Sequence, residues 1–238
     1  MADLVVIPVY NEERSVAKVL CEVRHYAPTC DILVVDDGST DTTRRILSAE
    51  HGIKLLTHVA NEGYGRSLID GFAFAHAGGY YRRLVTIDCD EQHEPALVPR
   101  FLEHLDATGA DVVSASRYLE SFPEDRDPPD DRRRINRVIT WRINEITGWQ
   151  LTDAFCGFKA YRVAALDRLA LDEPGYAMPM QFWIRAWRAG LKIVEIAIPR
   201  IYNESDRSFG ADLDFPDRRL LYYESVMDAE LTPRAASA

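Results

Sequence analysis

With 238 residues, 47 % of them hydrophobic and 28 % charged, the chain has ordinary globular composition and enough apolar surface for one sizeable core, which excludes intrinsic disorder. Its 38 acids against 28 bases leave a formal charge of −10, which excludes a generally basic nucleic-acid binder. No apolar run approaches the roughly 18 residues that a membrane span needs, and Met1-Ala2-Asp3 before a short apolar stretch and Pro8 lacks the basic region of a signal peptide.

The first half alternates short apolar runs with helical periodicity. Residues 4–8 predict a buried strand, and 12–24 a helix with Val16, Val19, Leu20 and Val23 on one face. Strands follow at 32–35, 53–57, 84–87 and 111–115, with helices at 42–50, 63–77 and 95–107, the last opened by a proline. Such alternation predicts an α/β fold, a mostly parallel sheet flanked by helices, whose ligands sit beyond the carboxyl ends of the strands. The second half changes character. Residues 121–131 read as a Pro- and Asp-rich loop, and 132–142 carry five arginines and no acid. A helix is predicted over 135–147 with Ile135, Val138, Ile139, Ile143 and Ile146 buried, then a strand at 158–162, a helix at 180–189 and a strand at 191–198. Residues 200–214 read as polar loop, and 231–238 as a frayed tail. Between them, 216–230 predict an amphipathic helix, whose stripe of Phe215, Leu220, Leu221, Tyr222 and Val226 suits a bilayer surface or an isoprenoid chain but reads first as core. No linker separates two cores, so 1–230 read as one domain, with a nucleotide-type half at 1–90 and a modified half at 91–230.

Cys21, Cys30, Cys89 and Cys156 are widely spaced without a C-x-x-C pair. Neither a zinc site nor a disulfide framework is indicated, and a reducing cytoplasm is expected. Three loops after predicted strands carry residues capable of chemistry. After the first strand, Pro8-Val9-Tyr10-Asn11-Glu12-Glu13 contains no glycine, so a G-x-G-x-x-G dinucleotide loop is absent. Read alone, that stretch is an Asn11 helix cap followed by acids. After the second, Val35-Asp36-Asp37-Gly38-Ser39-Thr40-Asp41 holds more capping residues than one helix needs. Its two carboxylates are equally suited to structure or to accepting a nucleobase N–H or ribose hydroxyl. After the fourth, Asp88-Cys89-Asp90-Glu91-Gln92-His93 offers two carboxylates one residue apart, able to converge on Mg²⁺ or Mn²⁺ with substrate phosphates completing the shell. Gln92 can add an amide oxygen, and His93 reads as a supporting residue rather than a ligand.

Taken in this order with Asn61-Glu62-Gly63-Tyr64-Gly65, these loops resemble the family 2 inverting glycosyltransferases of the GT-A fold. The nearer likeness is to the dolichol- or polyprenyl-phosphate mannose synthase branch. Its D-x-D-x-Q-H is met by residues 88–93, and Ser116-Arg117-Tyr118 also matches. Asp153-Ala154-Phe155-Cys156-Gly157-Phe158-Lys159 follows D-x-x-S-G-F-R, and Arg132-Arg133-Arg134-Ile135-Asn136 follows R-x-x-I-S with asparagine for serine. The branch's R-x-x-G-x-S-K is met only partly, by Arg207-Ser208-Phe209-Gly210-Ala211 with no lysine.

The resemblance implies a metal-dependent transfer of a hexose, first mannose from GDP-mannose, to polyprenyl or dolichyl phosphate. Pro8, Tyr10, Glu12, Asp37, Asn61 and Gly65 would hold the nucleotide sugar. Asp88, Asp90 and Gln92 would hold Mg²⁺ or Mn²⁺, and Arg117 would face the phosphates. Arg132, Asn136, Arg137 and Arg207 would hold the acceptor, although by charge alone the arginine run is equally a solvated helix face balanced by the acids of 125–131. A phosphate acceptor is already ionised and needs no base; a hydroxyl acceptor does, and Asp153 is the candidate. The implied setting is the cytoplasm, with peripheral contact at the inner face of the membrane. Competing readings are a family 2 enzyme acting on a soluble or glycan hydroxyl and a non-catalytic nucleotide-sugar-binding module. A sugar-nucleotide pyrophosphorylase would need a G-x-G-x-R loop that is missing.

Overall fold

The apolar run from Leu4 to Val9 becomes the central strand, and alternate residues divide between the two faces of the sheet. Leu4 and Val6 enter one core cluster, while Val5, Ile7 and Val9 enter the other. A strand covered on both faces reads as continuous hydrophobicity because its period-2 alternation has no solvent side. The computed structural model describes residues 1–202 and 209–232. Its strands are β1 (Ala2–Val9), β2 (Cys30–Asp36), β3 (Lys54–Thr57), β4 (Tyr81–Thr86), β5 (Val112–Ser116), β6 (Lys159–Arg162) and β7 (Ile193–Ala197), in the order β3-β2-β1-β4-β6-β5-β7. All neighbours are parallel except β6, which is antiparallel to both β4 and β5.

One face carries α1 (Val16–Tyr26), α2 (Thr43–Ala49) and α4 (Val98–Thr108). The other carries α3 (Tyr64–His76), α5 (Asp130–Thr147), α6 (Val163–Leu166), α7 (Met178–Arg188) and α8 (Pro216–Leu231). The three valines and one leucine expected inside α1 are all buried. Fully buried Trp183 anchors α7 by donating its indole N–H to the Ala154 carbonyl (2.9 Å).

Several boundaries differ from the sequence expectation for identifiable reasons. The first helix starts at Val16 rather than at residue 12, because Asn11 adopts a left-handed φ of 56° and residues 12–15 form a turn. Asn11 therefore does not cap α1; it binds the loop after β2. The helix expected at 95–107 divides into a 3-10 turn, Pro95–Leu97, and α4, since Pro99 has no N–H to offer the Pro95 carbonyl. α5 begins at Asp130, five residues early, with Asp130 and Asp131 at the positive end of its dipole. The stripe assigned to core in the last helix is divided: Leu220, Tyr222 and Val226 pack against the core, but Phe215 (61 % exposed) and Leu221 (65 %) face out. Among the described residues, no helix is long and apolar enough to cross a membrane.

Candidate active site

The carboxyl ends of β1, β2 and β4 open into a cavity of about 890 Å³. Its first wall is built by the loops after β1, β2 and β3. Asn11 accepts the N–H groups of Thr40 (2.8 Å) and Asp41 (3.3 Å) at Oδ1 and donates its own N–H to Ser39 Oγ (3.0 Å). A left-handed asparagine is tolerated because its amide makes these bonds. Gly38, at φ 71°, lies so close to the Ala60 backbone that a Cβ would come within 2.4 Å of it.

The two aspartates of this loop point into the protein. Asp36 accepts from Ser39 N–H (3.0 Å) and Arg44 (3.3 Å). Asp37 accepts from His58 (2.7 Å) and from the N–H groups of Glu62 (2.8 Å) and Gly63 (2.9 Å), while still lining the cavity. The other nitrogen of His58 meets Asp70 at 3.0 Å. Burial opposes charging of this imidazole, but the hydrogen bonds of Asp37 and Asp70 and the charges of Asp37 and Glu62 prevail and raise its pKa above the ordinary value.

The second wall carries the acid pair. Asp88 accepts the Tyr64 hydroxyl at 3.0 Å, and Asp90 accepts the Gln92 N–H at 3.0 Å. Glu91, between Asp90 and Gln92, is left-handed, φ 60°, and Asp88, Asp90 and Gln92 all line the cavity. His93 is buried behind the acid pair, with its Nδ1 3.2 Å from the Asp88 backbone nitrogen and its Nε2 3.6 Å from Cys156 Sγ, so it supports the loop rather than facing the cavity. Gly157 gives the carboxylate its room, since a Cβ there would lie 2.5 Å from Asp88 Oδ2 and 2.7 Å from the Tyr64 hydroxyl. Among the described residues no three His, Cys, Asp or Glu side chains gather as a complete cage. Two carboxylates and an amide oxygen at an open mouth fit a hard cation that takes its remaining ligands from phosphates and water.

The far wall holds arginines. Because β6 runs antiparallel, the loop preceding it reaches the same edge as the loops following β4 and β5, and brings Asp153 under Arg117. Arg117 Nε and Nη2 bind the two Asp153 oxygens at 2.7 and 3.0 Å, and Asn136 Nδ2 adds a third contact at 2.8 Å. Burial alone would raise the Asp153 carboxyl, but the Arg117 charge and these bonds hold it below the usual carboxylate range. Asp153 is fully buried and is not in the cavity wall, so it anchors Arg117 and is ill placed to act as a base. Glu195 on β7 fixes this loop in turn, accepting from Thr152 N–H and hydroxyl (both 2.9 Å) and Asp153 N–H (3.1 Å).

Placement of the other expected residues is mixed. Pro8, Tyr10, Glu12 and Asn61 line the cavity, as do Arg117, Arg132 and Asn136. Gly65 does not; it is buried where α3 meets the loop before α7, and a Cβ would lie 2.4 Å from the Glu173 carbonyl. Arg137 is exposed on α5 away from the cavity, and Arg207 lies outside the described residues. Two of the five arginines in the run join α5 to α8: Arg134 pairs with Asp217 (2.7 Å) and Arg142 with Asp228 (2.5 Å). Tyr64, Tyr176, Tyr202, Phe209, Arg219 and Tyr223 also line the cavity and were missed. The one local signal was the i, i+4 spacing of Arg219 and Tyr223 on the last helix.

An α/β sheet of this topology, with loops, an acid pair and arginines around one cavity at its strand ends, is a GT-A fold, and residues 4–170 match the glycosyl transferase family 2 model. The chain belongs to that family. It is 31 % identical over 203 residues to polyprenol monophosphomannose synthase of Mycolicibacterium smegmatis, covering 82 % of this chain and 76 % of the relative. Undecaprenyl-phosphate mannosyltransferase of Micrococcus luteus is 32 % identical over 87 % of each chain. The Enterobacter undecaprenyl-phosphate 4-deoxy-4-formamido-L-arabinose transferase is 33 % identical over 96 % of this chain and 68 % of its own. Glucosyl-3-phosphoglycerate synthase of Mycobacterium tuberculosis, crystallised with Mn²⁺, uridine diphosphate and phosphoglyceric acid, shares the fold: TM-score 0.71, 18 % identity, 99 % of this chain and 80 % of the other.

Proposed function

We propose that this enzyme transfers a hexose from a nucleotide diphosphate sugar to a polyprenyl phosphate with inversion, mannose from GDP-mannose being the first candidate. The carrying observation is that Asp88 and Asp90 share one cavity with Arg117 and Arg132, so a leaving diphosphate and an incoming phosphate can meet between cation and arginine. Relatives that act on polyprenyl phosphates support the acceptor class. In this reading Pro8, Tyr10, Glu12, Asp37 and Asn61 bound the nucleoside, with Asp37 shaping the wall through the Glu62 and Gly63 N–H groups. Asp88, Asp90 and Gln92 would hold Mg²⁺ or Mn²⁺, which neutralises charge on the leaving diphosphate. Arg117, locked by Asp153, presents a fixed positive charge without reorganising during the reaction. The phosphate oxygen attacks the anomeric carbon as the bond to the diphosphate breaks. With Asp153 committed to Arg117, the site suits an acceptor that needs no base. Such an acceptor places the enzyme at the cytoplasmic membrane surface.

Donor-dependent transfer to a polyprenyl phosphate tests this, with Arg132→Ala expected to lower transfer far more than donor binding. Transfer to a free or glycan hydroxyl, with none to any lipid phosphate, would move the protein to the soluble-acceptor class.

A further inference from the structure

The cavity wall contains a cation that no matched motif supplies. Arg219 sits in the first turn of α8, beyond the residues that match the family, and only 4 % of its side chain is exposed. It lines the same cavity as Arg132. Both guanidiniums stack on a single ring, with Cζ of Arg219 at 4.3 Å and Cζ of Arg132 at 5.0 Å from the Phe209 centroid. Phe209 is itself braced edge-on by Tyr176, centroids 5.4 Å apart.

Arg219 Nη1 donates to the Leu213 carbonyl (2.9 Å) and Nη2 to Asp131, which fixes the plane of the fork. A guanidinium carries five N–H donors, so these two bonds leave others for an anion. Arg219 and Arg132 bring two positive forks to one ring in the cavity wall, and Asp131 pairs with Arg219. A phosphate answers that arrangement, because it is anionic and accepts from planar guanidinium forks.

We propose that Arg219 is the second phosphate-binding cation for the acceptor, acting with Arg132, and that Phe209 holds the two guanidinium planes in register. The inference rests on the phosphate-acceptor reading given above and adds to it a residue supplied by α8. The ligand class is a phosphate monoester, from a lipid headgroup or from a soluble phosphorylated acceptor.

The test is calorimetric titration of the full chain, with Mn²⁺ and nucleoside diphosphate present, against citronellyl phosphate and separately against 3-phosphoglycerate. Wild type is expected to bind at least one, and Arg219→Gln to weaken that binding roughly 10- to 100-fold, as loss of a charged hydrogen bond does. Nucleotide affinity should stay within about 2-fold, a separation that a purely structural role for Arg219 would not produce. Arg219→Lys keeps a charge for Asp131 and so protects the fold; it should recover part of the loss, and it carries the test if the glutamine variant does not fold. Binding of citronellyl phosphate alone assigns the lipid source, and equal binding of both probes the free phosphate. Anion binding unchanged in both variants, or nucleotide affinity falling in parallel, overturns the role of Arg219. If wild type transfers sugar to a phosphate acceptor while Arg219→Gln matches it in acceptor KM, the inference alone fails. If wild type binds neither probe and transfers only to hydroxyls, the proposed function fails with it.

Discussion

Replacing Asp153 with asparagine separates an anchor from a base. Every contact of this carboxylate is with a donor: Arg117 at 2.7 and 3.0 Å, Arg117 N–H at 3.2 Å, Asn136 at 2.8 Å and Phe155 N–H at 3.1 Å. Asparagine keeps the shape but turns one accepting oxygen into a donor, and leaves buried Arg117 without its counter-charge. Breaking a buried pair from one side costs about 3–5 kcal/mol, a large share of the roughly 5–15 kcal/mol that holds a domain together. At about 2–4 °C per kcal/mol for a chain of this size, the melting temperature should fall by roughly 6–20 °C. Thermal unfolding followed by circular dichroism reads this directly, and turnover should fall with it as Arg117 loses its position. A variant that lost all turnover but melted within about 2 °C of wild type would refute the anchoring argument and restore Asp153 as a base.

Asp90→Asn should weaken Mn²⁺-dependent nucleotide binding about 10-fold or more with little change in melting temperature; full activity in excess chelator would contradict the cation site. Gly157→Ala places a methyl group against Asp88 Oδ2 and Tyr64, so metal-dependent nucleotide binding should drop, and unaltered binding would mean that the carboxylate orientation is immaterial. His58 has its pKa raised above 6.5, because the Asp37 and Asp70 hydrogen bonds and the Asp37 and Glu62 charges outweigh its burial. Its contribution is therefore complete below about pH 6.5 and is lost as pH rises through the folded value. The melting-temperature gap between wild type and His58→Asn should be widest at acid pH and shrink toward pH 9; a gap that widened with pH would reverse the sign. Gly65→Ala forces a methyl group toward the Glu173 carbonyl and should cost about 1–3 kcal/mol in urea unfolding without a selective effect on nucleotide affinity.

The sheet and its order of strands and helices were legible because continuous apolar runs such as Leu4 to Val9 and the 3.6-residue face of α1 are local properties of the chain. The acid pair was legible for the same reason: Asp88 and Asp90 leave a strand together, and a strand's carboxyl end is where α/β sheets place ligands. What the residues do to one another was not. Asp37 reads as a free carboxylate until His58, from 21 positions away, and two loop N–H groups are found on it. Asp153 reads as a base until the antiparallel course of β6 brings its loop beneath Arg117, 36 positions earlier. The arginine run carries no mark separating Arg132 in the cavity from Arg134 and Arg142, which reach from α5 to acids of α8, because that choice depends on where α8 packs. Periodicity and strand-end chemistry act over a few residues and survive in one dimension. Ion pairing, burial and shared cavity walls depend on distances that exist only once the chain has folded.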